Sequence, residues 1–369
     1  MRVKCRLRRL LSDHGFDHHG IIGEIASALD VHRHTVAKLY SGNADTLRLD
    51  VLGDLADWLI AKGVPAEKLP QELLGPDALW DHIRRSNTVM IYLGEYETGG
   101  PQRLARSMIA RHDAGVATDL VRQLARYGLL REVDISYVPL RYSDDGTYSV
   151  LHKDRNHARH LFEAMRARER HGGATSAFLI GSQKINFMVE QLVASCFDFH
   201  PFEAAGPKRF VPFYLLYRSG DPALPSCFGG RAPPPNFSGR KDPGIYYMTK
   251  DGWQSCLYRE GHQDAGIVIT SYQPANNAVE VALFGFSSAA TASVGKYFLE
   301  RADEFWPPTA DLGDRQIGVY ICRFSYASGE MWANQNFQCK VEPLSIDVLT
   351  RRGDGSRDRT ARKKRGGQK

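Results

Sequence analysis

The chain has 369 residues, 43% of them apolar and 24% charged, with a net charge of +6; that is enough for two or three domains with a real core and excludes a chain disordered throughout. The longest apolar run, Val279 to Phe286, is strand-length and carries Glu280, and no apolar stretch follows the N-terminal charges, so a cytoplasmic protein without a membrane partner is expected. Six cysteines (5, 196, 227, 256, 322 and 339) with no two within ten residues fit neither a paired-cysteine zinc site nor a compact disulfide framework and read as buried thiols.

From the N-terminus, Leu7, Leu10 and Leu11 predict a helix over residues 6 to 14. Ile25, Ala26 and Leu29 then recur at i, i+1 and i+4, so one face of a second helix is buried. Asp30-Val31 interrupts the pattern and Val36 and Leu39 restart it. The interruption predicts a tight turn, with Ala26 small enough for a close helix crossing and Val31 as the turn's plug. His32, Arg33, His34, Thr35 and Lys38 are left on the outside of the third helix. Leu49, Leu52, Leu55, Trp58 and Leu59 predict a fourth helix over 45 to 62.

Residues 1–63 resemble the helix-turn-helix of phage-repressor (Cro-like) regulators. The family usually has Gly in the turn. Here Asp30 takes that place, and Asp enters the left-handed region more readily than most residues. The resemblance implies that His32, Arg33, His34, Thr35 and Lys38 face the major groove of double-stranded DNA. The first 44 residues carry seven Lys/Arg against four Asp/Glu, a modest excess that suits a module binding as a homodimer. An ordinary helical hairpin with a solvated basic face is the competing reading.

Residues 64–87 form a connector, with Leu79, Trp80 and Ile83 on one face of a helix over 76 to 86. Residues 88–350 alternate strand and helix. Strands are expected at 88–96, 133–141, 176–180, 210–217, 265–272, 280–286, 316–323 and 336–343, with a hairpin around Asp251-Gly252. Helices are expected over 101–127, 154–170, 186–197 and 287–305. The fold class expected is therefore an all-α helix-turn-helix domain followed by a larger α/β domain with a mostly parallel sheet. Residues 351–369 hold nine Lys/Arg against two Asp, and read as a disordered basic tail with non-specific phosphate affinity.

Two segments of the large domain share a pattern. Ala177 to Ile180 ends at Gly181-Ser182 with Lys184 and Asn186 before a helix. Val281 to Phe284 ends at Gly285, with Ser287, Ser288 and Thr291 opening a helix. At the carboxyl edge of a parallel sheet such loops bind ligands, and free N–H groups with the helix dipole favour a small polar or anionic one. Gly181, Ser182, Lys184, Asn186, Gly285, Ser287, Ser288 and Thr291 are the candidate contacts. Simple N-capping explains each loop taken alone. The large domain is also similar to domains found behind DNA-binding modules in poorly described bacterial proteins, which implies ligand sensing or partner binding.

No catalytic set emerges, since Gly-x-Ser-x-Gly and His-Glu-x-x-His are both absent. His157 and His160 stand at i, i+3, but Lys153, Arg155 and Arg159 surround them, so a solvated helix face is expected rather than a metal site. No cofactor is implied. The stretch Gly229 to Pro243, rich in Pro and Gly, reads as a surface excursion, with a lid or partner-binding loop as its alternative. Three functions are compatible with this sequence: a DNA-binding regulator with a ligand-sensing or dimerising α/β domain, an enzyme acting on a nucleotide-like substrate, and a partner-binding protein.

Overall fold

The computed structural model describes Cys5 and Leu69, Leu73 and Pro308 individually, together with residues 7–41, 48–67, 78–98, 106–129, 132–141, 152–171, 173–203, 210–221, 223–224, 226–306, 310–312, 314–326 and 337–349. The basic tail, 351–369, lies outside the described residues. The chain divides into two compact units, Met1–Asp81 and His82–Lys369.

In the first unit, α1 (Leu7–Asp13), α2 (Ile21–Ala28), α3 (Arg33–Tyr40) and α4 (Leu49–Ala61) share one core. Leu7, Leu11, Ile25, Val36, Leu55 and Leu59 are completely buried in it. Burial of each such side chain contributes about 1.5–3 kcal/mol relative to leaving it in water. Asp30 sits at φ 49° between α2 and α3, the left-handed position foreseen for it, and the Val31 N–H donates to the Ala26 carbonyl at 3.0 Å. His32 caps α3, its Nδ1 accepting from the His34 N–H at 3.1 Å. At the other end of α3 the Tyr40 hydroxyl donates to Asp17 at 2.6 Å. Leu49 departs from expectation and is 85% exposed. As the first residue of α4 it lies roughly 100° around the helix from the stripe made by Val51, Leu52, Leu55 and Leu59.

A helix crossing the division, α5 (Ala78–Arg84), leads to the second unit, built on a nine-stranded mixed sheet. Its strands are β1 (Thr88–Thr98), β2 (Arg106–Ile109), β3 (Val133–Arg141), β4 (Thr175–Ile180), β9 (Gln263–Gln273), β10 (Ala278–Gly285), β11 (Ala310–Asp311), β12 (Gln316–Tyr326) and β13 (Phe337–Pro343). β10, β4, β1 and β3 are parallel neighbours in that order. β9, β12, β11 and β13 continue the sheet in antiparallel pairs beyond β10, and β2 runs antiparallel along the end of β1. The sheet is thus α/β in character but mixed, not mostly parallel. The reason is the link between β9 and β10, four residues from Pro274 to Asn277, which suffices for a hairpin and is far too short for a parallel crossover.

The helices of this unit are α6 (Arg111–Arg126), α7 (His152–His171), α8 (Phe187–Phe197), α9 (Ser288–Glu300) and α10 (Ile346–Leu349), with a 3₁₀ turn at Ala302–Phe305. The expected helix over 101–127 is corrected by β2, an antiparallel strand that precedes α6; its first residues lie outside the described set. A separate four-stranded antiparallel sheet is inserted after α8, from β5 (Phe213–Leu216), β6 (Cys227–Gly229), β7 (Gly244–Thr249) and β8 (Gly252–Leu257). β7 and β8 form the foreseen hairpin, with Thr249 opposite Gly252. The excursion before β7 is folded onto this sheet. Tyr246 donates to the carbonyls of Gly239 and Asp242, and its ring packs edge-on against Phe237 at 6.1 Å.

Candidate functional site

His32, the cap of α3, and Arg33, His34, Thr35 and Lys38 on the helix are all exposed, while Val36 and Leu39 face inward. The five side chains are therefore all presented to solvent. His32 differs from the others because Nδ1 is already engaged as the cap, which leaves only its Nε2 for an outside partner.

In the second unit, β4 and β10 are adjacent and parallel, with Ile180 opposite Leu283. The Gly181 N–H continues the ladder to the Leu283 carbonyl at 3.0 Å. Both loops consequently leave the sheet at its carboxyl edge and open side by side. They line a cleft of about 110 Å³ together with the start of α6. Ser182, Lys184, Gly285, Ser287, Ser288 and Thr291 line it, alongside Ala110, Asp113, Ile185, Tyr217 and Phe286.

The eight nominated residues divide by what the fold asks of them. Gly181, at φ 104°, shapes the turn and does not line the cleft. Asn186 is also withdrawn from it. Its Oδ1 caps α8 by accepting from the Met188 N–H, and its Nδ2 donates to the carbonyls of Tyr92 and Ile180, both at 2.9 Å. Capping together with these two strand contacts accounts for this residue. Ser287 and Thr291 line the cleft but are engaged. Ser287 caps α9 through Ala290 N–H and donates to Asp264, and Thr291 Oγ1 accepts from the Gly285 N–H at 2.9 Å. Ser182, Ser288 and Lys184 are the lining side chains that no cap consumes. The Lys184 ammonium lies 5.1 Å from the centre of the Tyr217 ring, which stacks on Phe286 at 5.0 Å.

Two carboxyls escaped the sequence reading. Asp113 is 2% exposed and its Oδ2 has no hydrogen-bond partner among the described residues. Burial pushes its pKa up to about 7. Asp264 stands behind Ser287, 1% exposed, and burial likewise raises it to about 7, against the hydrogen bonds from Ser287 and Ala265. A signal for Asp113 was present, because it occupies the same helical stripe as Val116, Ala117, Leu120 and Leu124, where an apolar residue is the rule. Asp264 and the Tyr217–Phe286 wall come together only through the sheet pairing.

The raised values imply a pH dependence. Unfolded, both aspartates titrate near 3.8. Between that value and about 7 the native state holds more protons than the unfolded chain, so stability falls as pH rises through this window. Thermal melts from pH 5 to pH 8 should show this decline, and Asp113→Asn should flatten it. An equal slope in wild type and variant would mean that Asp113 ionises as freely in the folded chain as in the unfolded one.

The exposed His157 and His160 lie on the outer face of α7, and His160 is 3.5 Å from Glu163. Cys5, Cys196, Cys227, Cys256 and Cys322 are buried free thiols and Cys339 is partly exposed. Comparisons with protein-family models, with curated proteins and with solved structures gave no match.

Proposed function

We propose that the chain is a DNA-binding regulator whose α/β unit holds a small polar or anionic ligand. The observation that carries the ligand half is the convergence of two strand–loop–helix units on one cleft at the carboxyl edge of adjacent parallel strands. The start of α9 and the start of α6 both open there, so their dipoles favour negative charge. Lys184 supplies a cation, and Ser182 and Ser288 supply hydroxyl groups. A thermal-shift panel of nucleotides, sugar phosphates and small oxyanions on the full chain tests this reading. Lys184→Met should abolish any shift that wild type gives, and no shift with any member would refute the ligand half.

The DNA half rests on the outward face of α3 and on the left-handed Asp30 that sets the turn. Arg33 is the candidate for bidentate hydrogen bonding to guanine, with His34, Thr35 and Lys38 near bases or phosphates. The short α3 offers few base contacts, so two copies reading two half-sites, as a homodimer, suit it best. Arg33→Ala should weaken binding to an operator selected from random duplexes by about 1–3 kcal/mol at fixed salt and relax one base position. Unchanged affinity would remove α3 from the groove.

One observation favours a second reading, an enzyme acting on a nucleotide-like substrate. Asp113 borders the cleft with a pKa raised to about 7, the range suited to a general acid or base. Turnover of a panel member, lost in Asp113→Asn, would establish it. A shift without turnover supports the sensor.

A further inference from the structure

The cleft holds an unusual combination for an anion site, with two helix N-termini and a lysine lining it together with a buried carboxyl. Asp113 is in the first turn of α6, 2% exposed, with Oδ2 unpartnered among the described residues. Gly181 packs close to that oxygen, and a Cβ there would stand 2.7 Å from it. A buried polar atom left without a partner is costly and gains most from a ligand that completes its hydrogen bonding. An ionised carboxylate accepts hydrogen bonds and donates none. An anion with only acceptor oxygens therefore meets repulsion at Asp113, whereas one carrying its own O–H satisfies it.

Size narrows the choice. At roughly 10–15 Å³ for each water-sized group, a cleft of 110 Å³ takes about seven to eleven such groups, room for a tetrahedral oxyanion with a few further atoms, and anything larger must project toward solvent. Lys184 is the one other charged side chain among the described lining residues, so an anion in the cleft has a cation and helix N–H groups to bind its oxygens and one carboxyl, Asp113, to oppose them.

Resting on the reading of the cleft as an anion site, we propose that Asp113 makes it selective for oxyanions bearing a hydroxyl hydrogen. Hydrogen phosphate carries that proton itself, and glycerol 3-phosphate, a monoester whose phosphate is doubly ionised at pH 8, carries it on the alcohols of its glycerol. Sulfate has none. Discrimination arises from a clash of acceptors rather than from added attraction.

Isothermal titration of the full chain at pH 8, where Asp113 is mostly ionised, with inorganic phosphate, glycerol 3-phosphate and sulfate tests this. Phosphate, glycerol 3-phosphate or both should bind at least tenfold more tightly than sulfate. Preference for inorganic phosphate identifies a free-phosphate site, and preference for glycerol 3-phosphate identifies a monoester site. Asp113→Asn, whose amide can donate, should admit sulfate and narrow the ratio to below threefold. Lys184→Met should weaken all three while keeping the ratio. Wild-type binding of sulfate within threefold of the better phosphate would overturn the proposal whatever the variants do, while leaving an anion site intact. So would an unchanged ratio in a folded Asp113→Asn. No binding of any of the three overturns the proposal as well, and the wider panel above then decides whether the anion reading survives.

Discussion

Replacing Arg166 with Met lowers the stability of the large unit by about 3–5 kcal/mol at pH 8, the range for removing one partner from a buried ion cluster. Arg166, on α7, lies 3.0 Å from Glu169 and 2.9 Å from Glu280, and donates to Ser195 Oγ at 3.1 Å. Glu169 and Glu280 are almost wholly enclosed, and Glu169 Oε1 and Glu280 Oε2 find no hydrogen-bond partner among the described residues. Burial opposes the guanidinium's charge, but Glu280 and Glu169 outweigh this and hold its pKa above the ordinary arginine value. Glu169 is pushed up to about 7, first by burial and then by Glu280, against the pull of Arg166. Without the arginine, two carboxylates face each other in a low dielectric. The variant's loss should therefore be smaller at pH 5, where Glu169 is protonated in the native state. Adding Glu169→Gln and Glu280→Gln should restore much of the stability, because no unpaired charge is then buried. Urea denaturation of the three proteins at both pH values decides the matter. A loss below 1 kcal/mol for Arg166→Met at pH 8 would show that the cluster holds no unbalanced charge.

The sequence carried the local structure and missed the pairing. Apolar spacing placed α2, α3, α8 and β3 within a residue or two, because one periodic face determines each of them. Strand direction is a property of connections. The 265–272 and 280–286 strands are legible, and it is the short link between them, not the wider alternation of strands and helices, that dictates an antiparallel pair. β2 has only four residues, too few for a period that separates strand from helix. The cleft was half legible. Glycine, hydroxyl and helix start recur in both loops, and the adjacency of β4 and β10 brought them together. Asn186 looked identical to Ser182 in that pattern, although its amide turns inward to Tyr92 and Ile180. Asp113 comes from a helix some seventy residues earlier in the chain, and only the tertiary fold sets it beside Gly181.

Gly285 shows how far the cleft depends on backbone contact. Its φ is not left-handed, so space and not conformational freedom explains the residue. A Cβ there would stand 2.3 Å from the Thr291 backbone nitrogen and 2.5 Å from the Ala290 carbonyl carbon. Gly266 is its partner across the β9–β10 ladder, and a Cβ at that position would lie 2.1 Å from Val294 Cγ2. The two glycines form a bare patch on which α9 rests, and this close seating lets the Gly285 N–H reach Thr291 Oγ1. Gly285→Ala must displace the helix backbone, since no flexible side chain can move aside. Its cost should reach or exceed the upper end of the about 1–3 kcal/mol typical of overpacking. Gly115→Ala should have the opposite sign. Gly115 is an exposed position within α6 where a Cβ meets nothing within 4 Å, and alanine there should stabilise the unit by about 0.5–1 kcal/mol. Because Gly285→Ala moves α9 itself, loss of ligand binding in that variant reports helix seating; Lys184→Met, on the partly exposed loop, is the variant that reports on charge. Chemical denaturation of the two alanine variants checks the assignment. A Gly285→Ala protein as stable as wild type would mean that α9 is not seated on the end of β10.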